Sequence, residues 1–142
     1  MNFRLLAVTT VLASGWVGHV AAQTACPSGT TTRVSNVQQL VGGSTLCAAR
    51  GSDRWQEFHS GVSSGPLIDW KRGSNPVDPT ATVGTWSAAN GANSSVTHTY
   101  GATSYTWLVC QVGTANNYTL VSTGSSGTIT GATVQNGQGA CP

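Results

Sequence analysis

The hydrophobic and polar positions along this chain alternate in short runs that are separated by turns. In the run SVTHTY, for example, Val96, His98 and Tyr100 fall on one face and the intervening residues on the other, which is the two-residue period of a β-strand. Clusters of Gly, Asn, Ser and Pro separate such runs. Eight strands are predicted on this basis, over residues 44–48, 55–59, 66–72, 82–88, 95–100, 105–112, 118–122 and 127–134.

The regular spacing of these runs predicts an all-β fold. No helical pattern is long enough to connect parallel strands, so we expect an antiparallel meander of about seven or eight short strands that forms a small barrel or sandwich. An immunoglobulin-like sandwich is the main competitor, but it needs longer crossover connections than these turns provide. The one helical element expected is a short turn near residues 36–41, capped by Ser35.

The beginning of the chain has the pattern of an export signal. Arg4 supplies a positive charge, residues 5–12 form a mostly apolar run that is too short to span a bilayer, and small residues precede Gln23. We therefore predict a signal peptide over residues 1–22. The alternatives at this end are a buried helix and a lipid-modified Cys26.

Residues 23–142 are predicted to form one domain that is secreted, periplasmic or held at the cell surface, with an irregular arm over 23–34. A domain of this size has room for one modest core. No second long apolar segment follows the leader, so no membrane span is expected. Charged residues make up 7% of the chain and the formal net charge is +2, so the composition does not indicate nucleic-acid binding.

The cysteines support export. An even number of them in an exported chain indicates two disulfides, for which three pairings exist. Zinc is excluded because the chain has no closely spaced cysteine pair. The pairing of Cys26 with Cys141 and of Cys47 with Cys110 is slightly preferred, since it would tie the two termini together and join two strands.

Ionisable side chains are concentrated between residues 50 and 78. This stretch contains all four acidic residues and four of the six basic ones, and no charged residue follows it. The two predicted strands within it are separated by SGVSSG, which is typical of a hairpin. If Phe58 lies opposite Ile68, then Glu57 lies opposite Asp69.

The two faces of this hairpin differ in character. One carries Gln56, Phe58, Ile68 and Trp70. The other carries Trp55, Glu57, His59, Leu67, Asp69 and Lys71.

The second face allows three interpretations. Two carboxylates beside a histidine and a lysine can divide acid and base roles between them. A polar sheet surface with cross-strand ion pairs, such as Glu57 with Lys71, explains the same residues and is favoured. A metal site built from His59, Glu57, Asp69 and His98 is only weakly indicated, because the histidines are far apart in the chain; neither a metal nor a cofactor is expected.

The aromatic residues are the best candidates for ligand contact, because Trp and Tyr on a hydroxyl-rich sheet stack on sugars and other planar ligands. Trp86 and Trp107 are expected in the core because they lie in mid-strand, whereas Trp55 and Trp70 lie beside the charges. We therefore predict a site for a glycan or small ligand. Its candidate residues are Trp55, Glu57, His59, Asp69, Trp70 and Lys71.

Three motifs follow one another between residues 40 and 105: W-Q-E-x-H at 55–59, P-V-D-P-T at 76–80 and V-G-T-W-S at 83–87. Their order resembles that in a group of small exported bacterial proteins, mostly proteobacterial, that have no assigned activity. The G-T-W step is also similar, more weakly, to lipocalin-like and avidin-like barrels. The first resemblance implies an exported bacterial domain and identifies no catalytic residue.

Three functions are consistent with these features. The favoured one is non-catalytic binding or cell-surface interaction by an exported domain. A self-assembling subunit of an extracellular filament is the alternative, because the charge-free half after residue 79 could pair edge to edge with little repulsion. The third is a small hydrolase that uses Glu57, Asp69 and His59.

Overall fold

A computed structural model describes residues 25–70 and 80–142. The predicted signal peptide and Lys71 therefore lie outside the described residues. Within the described ranges, no helix combines the length and the apolar character needed to cross a membrane. The elements, in chain order, are β1 (Thr31–Arg33), α1 (Val37–Val41), β2 (Ser44–Arg50), β3 (Asp53–His59), β4 (Ser64–Asp69), β5 (Ala81–Ala89), β6 (Ser95–Tyr100), β7 (Thr103–Val112), β8 (Tyr118–Ser122) and β9 (Thr128–Asn136).

Strands β2 to β9 form a closed antiparallel barrel. Each strand pairs with the next one along the chain, and β9 returns to pair with β2. The eight predicted strands and the all-β meander are confirmed, and a barrel is formed rather than a sandwich. Tight turns make this order feasible. The turn between β6 and β7, for example, contains Gly101 at a φ of 57°, a backbone conformation that glycine adopts without strain.

The predicted irregular arm is only partly irregular, because it contains the short strand β1. β7 is longer than β6, which pairs only with its first half, from Thr103 to Trp107. β1 pairs with the remaining part of the same edge, opposite Cys110–Val112. The arm pairs with the backbone groups of β7 that β6 does not reach. The need for these partners arises from the tertiary structure, and the local sequence does not reveal it.

The two predicted disulfides are present, but the preferred pairing is wrong. Cys26 bonds to Cys110 and Cys47 bonds to Cys141. β1 runs along β7 and so brings Cys26 next to Cys110. Cys26 packs there against an apolar cluster on the outer side of the barrel, which consists of Leu108, Cys110 and Val121.

The C-terminal tail reaches Cys47 because side chains of the barrel hold its backbone. The Gly139 amide donates to Thr45 Oγ1 at 3.2 Å, and the Cys141 amide donates to Gln56 Oε1 at 2.7 Å. These bonds lay the tail along the outer side of β2 and β3, which explains why Cys141 meets Cys47 rather than Cys26.

The interior of the barrel holds the main hydrophobic core. Trp86 and Trp107 belong to it, as predicted, and both are buried. The helix α1 packs against β2, β5 and β6 and buries Val37 and Val41 in the same core. We call the end that α1 covers the closed end of the barrel.

The start of the helix differs from the prediction in one detail. Asn36, rather than Ser35, is the cap residue, and its side chain makes no capping hydrogen bond. The backbone amide of Gln38 instead donates to a residue outside the helix, Asn90, whose Oδ1 lies at 2.9 Å. The loop after β5 therefore anchors α1 over the closed end.

The disulfide pairing can be tested by peptide mapping without reduction. Trypsin leaves Cys110 and Cys141 on one peptide, because no Lys or Arg follows Arg72. Additional chymotryptic cleavage after Tyr118 separates the two cysteines. We then expect Cys26 to be linked to the fragment with Cys110 and Cys47 to the C-terminal fragment. Any other pair of linked fragments would contradict the fold described above.

Candidate functional site

The hairpin of β3 and β4 has the register that the sequence left as a hypothesis. Phe58 lies opposite Ile68, and Glu57 lies opposite Asp69. The face that carries the charges, however, is not a solvated surface. Glu57 is 4% exposed and His59 is completely buried. Closure of the barrel turns one face of every strand inward, so the favoured interpretation as a surface with exposed ion pairs is wrong for these two residues.

Strand β6 lies across the interior from β3 and supplies the partners of these buried groups. Tyr100 Oη donates to Glu57 Oε1 at 2.6 Å. His98 Nδ1 lies 3.8 Å from Glu57 Oε2, which is too far for a hydrogen bond. His98 Nε2 and His59 Nε2 are 2.8 Å apart and share one hydrogen. The four side chains form a polar layer across the barrel, which we call the Glu57 layer.

The hydrogen bonds determine the tautomers of the two histidines. His59 Nδ1 lies 3.0 Å from the carbonyl oxygen of Glu57. A carbonyl can only accept, so Nδ1 carries the hydrogen and Nε2 is the acceptor in a neutral ring. His98 must then donate from its Nε2, which leaves its Nδ1 without a hydrogen and directed at Glu57. Burial lowers the pKa of both histidines, so both rings are neutral near pH 7 and His98 presents an acceptor to the carboxyl group.

Burial shifts the pKa of every member of the Glu57 layer. Desolvation raises the pKa of Glu57 from 4.5 to about 7, and the charge of Asp69 adds to the rise while the bond from Tyr100 opposes it. Desolvation lowers the pKa of His59 to about 4 and that of His98 to about 3. It also raises the pKa of Tyr100 above its ordinary value. The histidines therefore stay neutral near pH 7, where Glu57 titrates.

A cavity of about 510 Å³ lies between the Glu57 layer and the end of the barrel opposite α1. Three residues at that end line it, and we call that end the open end: Arg50 ends β2, Thr103 begins β7 and Ser126 lies in the β8–β9 loop. Aromatic and aliphatic side chains form most of the wall, and Glu57 and His98 form the floor. The wall residues are Leu46, Ala48, Trp55, Tyr100, Tyr105, Trp107, Leu120 and Ile129.

Arg50 is the only basic side chain, histidine apart, among the described residues that line the cavity. Its guanidinium carbon lies 5.8 Å from the centroid of the Trp55 ring, within cation–π range. Its Nη1 donates to the carbonyl of Ser126 at 2.7 Å. These two contacts hold the positive charge at the rim, where β2 ends, and tie that strand to the β8–β9 loop.

The structure brings only some of the predicted site residues together. Trp55 and Glu57 line the cavity. His59 lies behind His98 and does not line it, and Asp69 lies beside Glu57 on the neighbouring strand, also outside the lining. Trp70 continues β4 with its amide bonded to the Gln56 carbonyl, and its side chain belongs to the opposite face of the hairpin.

Most residues that line the cavity were not among the predicted site residues, and the polar and aromatic ones that matter most for a ligand are Arg50, Tyr100 and Tyr105. His98 was considered only as a metal ligand. The one sequence feature that could have pointed to His98 and Tyr100 is the period-two pattern of β6, which places both on one face of the strand. It does not show that this face meets β3, because β6 and β3 are separated by two strands in the ring.

The described residues contain no group of three or more His, Cys, Asp or Glu side chains that could hold a metal ion. Comparison of the chain with protein-family models, with curated proteins and with solved structures found no match. Function therefore has to be inferred from the chemistry of the cavity, because a barrel architecture supports many functions.

The raised pKa of Glu57 predicts a specific pH dependence of stability. The folded state holds a proton that the unfolded state releases between pH 4.5 and about 7, so this contribution to stability is lost as the pH rises through that window. Glu57→Gln removes the loss. The free energy of unfolding of each protein is measured by urea denaturation at several pH values. The difference between variant and parent should shift in favour of the variant by about 3 kcal/mol as the pH rises from about 4 to 8.

Asp53→Asn is the matched control for that experiment. Asp53 lies at the start of β3 and is exposed, so the substitution removes one carboxylate from the same strand without touching the interior. An equal gain in both variants would show that overall charge, rather than burial of Glu57, causes the effect.

Proposed function

We propose that this protein binds a small, planar and largely apolar molecule in the open end of the barrel. The single observation that carries the proposal is the cavity of about 510 Å³ with aromatic walls and a polar floor. Ligand pockets in proteins have volumes of about 300–1,000 Å³ and combine mostly apolar walls with a few polar groups that orient the ligand. Both features are present here.

The two ends of the barrel differ in a way that supports binding. At the closed end, α1 fills the interior with Val37 and Val41. At the open end, Tyr105 is 36% exposed and Trp55 is half-buried, although both are large aromatic residues. Burial of such surface by a ligand would contribute about 25 cal/mol per Å² to the free energy of binding, which favours an apolar ligand.

The geometry supports binding over hydrolysis. The hydrolase alternative requires His59 to act with Glu57 and Asp69 on a substrate. Both ring nitrogens of His59 already have partners, namely His98 Nε2 and the Glu57 carbonyl. Neither His59 nor Asp69 lines the cavity. A substrate in the cavity would reach only Glu57 of the three, which supports a binding role.

The filament alternative has less support than the sequence suggested. It depends on strand edges that are available for pairing between molecules. Each strand from β2 to β9 pairs with a neighbour on both sides in the closed ring. Export to the periplasm or the cell exterior remains part of the proposal, and the two disulfides are consistent with an oxidising compartment.

A pair of neighbouring alanines tests the location of the site. Ala48 lies on β2 directly opposite Trp55 and lines the cavity, whereas Ala49 is exposed and belongs to the outer side. Ala48→Phe should fill part of the cavity and weaken binding of the neutral fluorescent probe N-phenyl-1-naphthylamine by about tenfold or more. Ala49→Phe adds the same ring outside the barrel and should leave the affinity unchanged.

Fluorescence titration measures both affinities, and thermal unfolding confirms that the two variants remain folded. Equal affinity in Ala48→Phe and the parent protein, or no saturable binding to the parent protein, would refute the proposed site.

A further inference from the structure

The floor of the cavity indicates the class of ligand, provided that the proposed binding function holds. We infer that the ligand is an organic cation: an ammonium group attached to an aromatic or apolar body, with the charged head at Glu57 and the body between the aromatic walls. The inference rests on the charges, hydrogen-bond roles and ring positions around the floor.

Glu57 is the only carboxylate among the described residues that line the cavity. Its Oε1 accepts from Tyr100, and its Oε2 lies 3.8 Å from His98 Nδ1, which is too far for a hydrogen bond. The other polar atom of the floor is His98 Nδ1, which carries no hydrogen in the tautomer deduced above. An ionised Glu57 and His98 Nδ1 both accept and do not donate, and an ammonium group is the matching donor.

The aromatic walls favour a cation for a separate reason. The face of an aromatic ring is electronegative and attracts cations within about 6 Å of its centroid. The rings of Tyr100 and Tyr105 lie 6.0 Å apart and are tilted by 59°, and Trp55 and Trp107 contribute further wall. The chain already places one cation on this wall, since Arg50 lies over the Trp55 ring at the rim.

An anionic ligand fits the site less well. Its charge could pair with Arg50, but that guanidinium is held at the rim by Ser126 and Trp55. An anion that filled the cavity would approach Glu57, and the neutral histidines behind it would not offset the repulsion. A neutral ligand would leave the acceptors of the floor without a charged partner.

The cation preference should depend on pH, because only ionised Glu57 attracts the ligand. The groups that face Glu57 are Asp69 on β4, His98 and Tyr100 on β6 and His59 on its own strand. The two histidines stay neutral and Tyr100 stays protonated near pH 7, so Glu57 dominates the titration there. Its pKa of about 7 in the empty site predicts a preference that strengthens from pH 5 to pH 8.

Three probes that share a phenylethyl body separate charge from shape: 2-phenylethylammonium, its neutral counterpart propylbenzene, and the anion 3-phenylpropionate. Displacement of N-phenyl-1-naphthylamine from the full mature chain gives all three affinities. At pH 8 we expect the cation to bind more tightly than propylbenzene by about tenfold or more, as for a charge-assisted hydrogen bond, and the anion to bind most weakly. The preference for the cation over propylbenzene should weaken as the pH is lowered from 8 and should be absent at pH 5.

Two substitutions should move the preference in opposite directions. Glu57→Gln should abolish it, and the affinity of the same variant for propylbenzene is the reference against which the preference is measured. Arg50→Gln removes the competing charge from the rim and should strengthen it. The matched controls are Asp53→Asn and Arg54→Gln, which change the same charges at exposed positions outside the cavity lining and should have no effect on the preference.

The outcomes distinguish this inference from the proposed function. Binding of the naphthylamine and propylbenzene without a cation preference at pH 8, or with a preference for 3-phenylpropionate, would overturn the inference and leave the proposed function standing. No saturable binding of any probe would overturn both. The pH series on the parent protein needs no variant, so a variant that failed to fold would not prevent a decision.

Discussion

The closed ring of backbone hydrogen bonds through β2–β9 is the constraint on which the other features depend. It gives every strand one face toward a common interior. Strands that are distant in the chain must therefore share that interior, and β3 meets β6 across it. A polar side chain on an inward position cannot turn to solvent, so it needs a partner on the other side. The Glu57 layer follows from this requirement.

The Glu57 layer divides the barrel into two parts with different roles. Toward the closed end, α1 and the apolar residues around Trp86 form an ordinary packed core. His59 contacts this core, with its ring 5.0 Å from that of Trp86 in an edge-to-face arrangement. Toward the open end, the interior remains a cavity. Burial of a carboxyl group opposes stability unless its interactions offset the desolvation, and such groups are concentrated at functional sites.

Much of the architecture was predictable because it depends on local patterns. The strand positions follow from the two-residue period and from the turn residues between runs. The pairing of Glu57 with Asp69 was only conditional on one register of the hairpin, and the structure has that register. The core positions of Trp86 and Trp107 follow from their places in mid-strand. The pairing of the cysteines and the strand β1 were not predictable, because they depend on which edge of β7 is still unpaired and on how the tail crosses β2 and β3.

By itself, the sequence determined an all-β meander with two disulfides, and Trp55 and Glu57 as members of one face of the central hairpin. Only the tertiary structure decided the register of the hairpin, that this face lies inside a barrel, and that His98 and Tyr100 complete it. The physical reason is that strand periodicity assigns a residue to a face but does not say which side of the sheet becomes the interior. Ring closure makes that choice, and it converts a charged hairpin into the floor of a cavity.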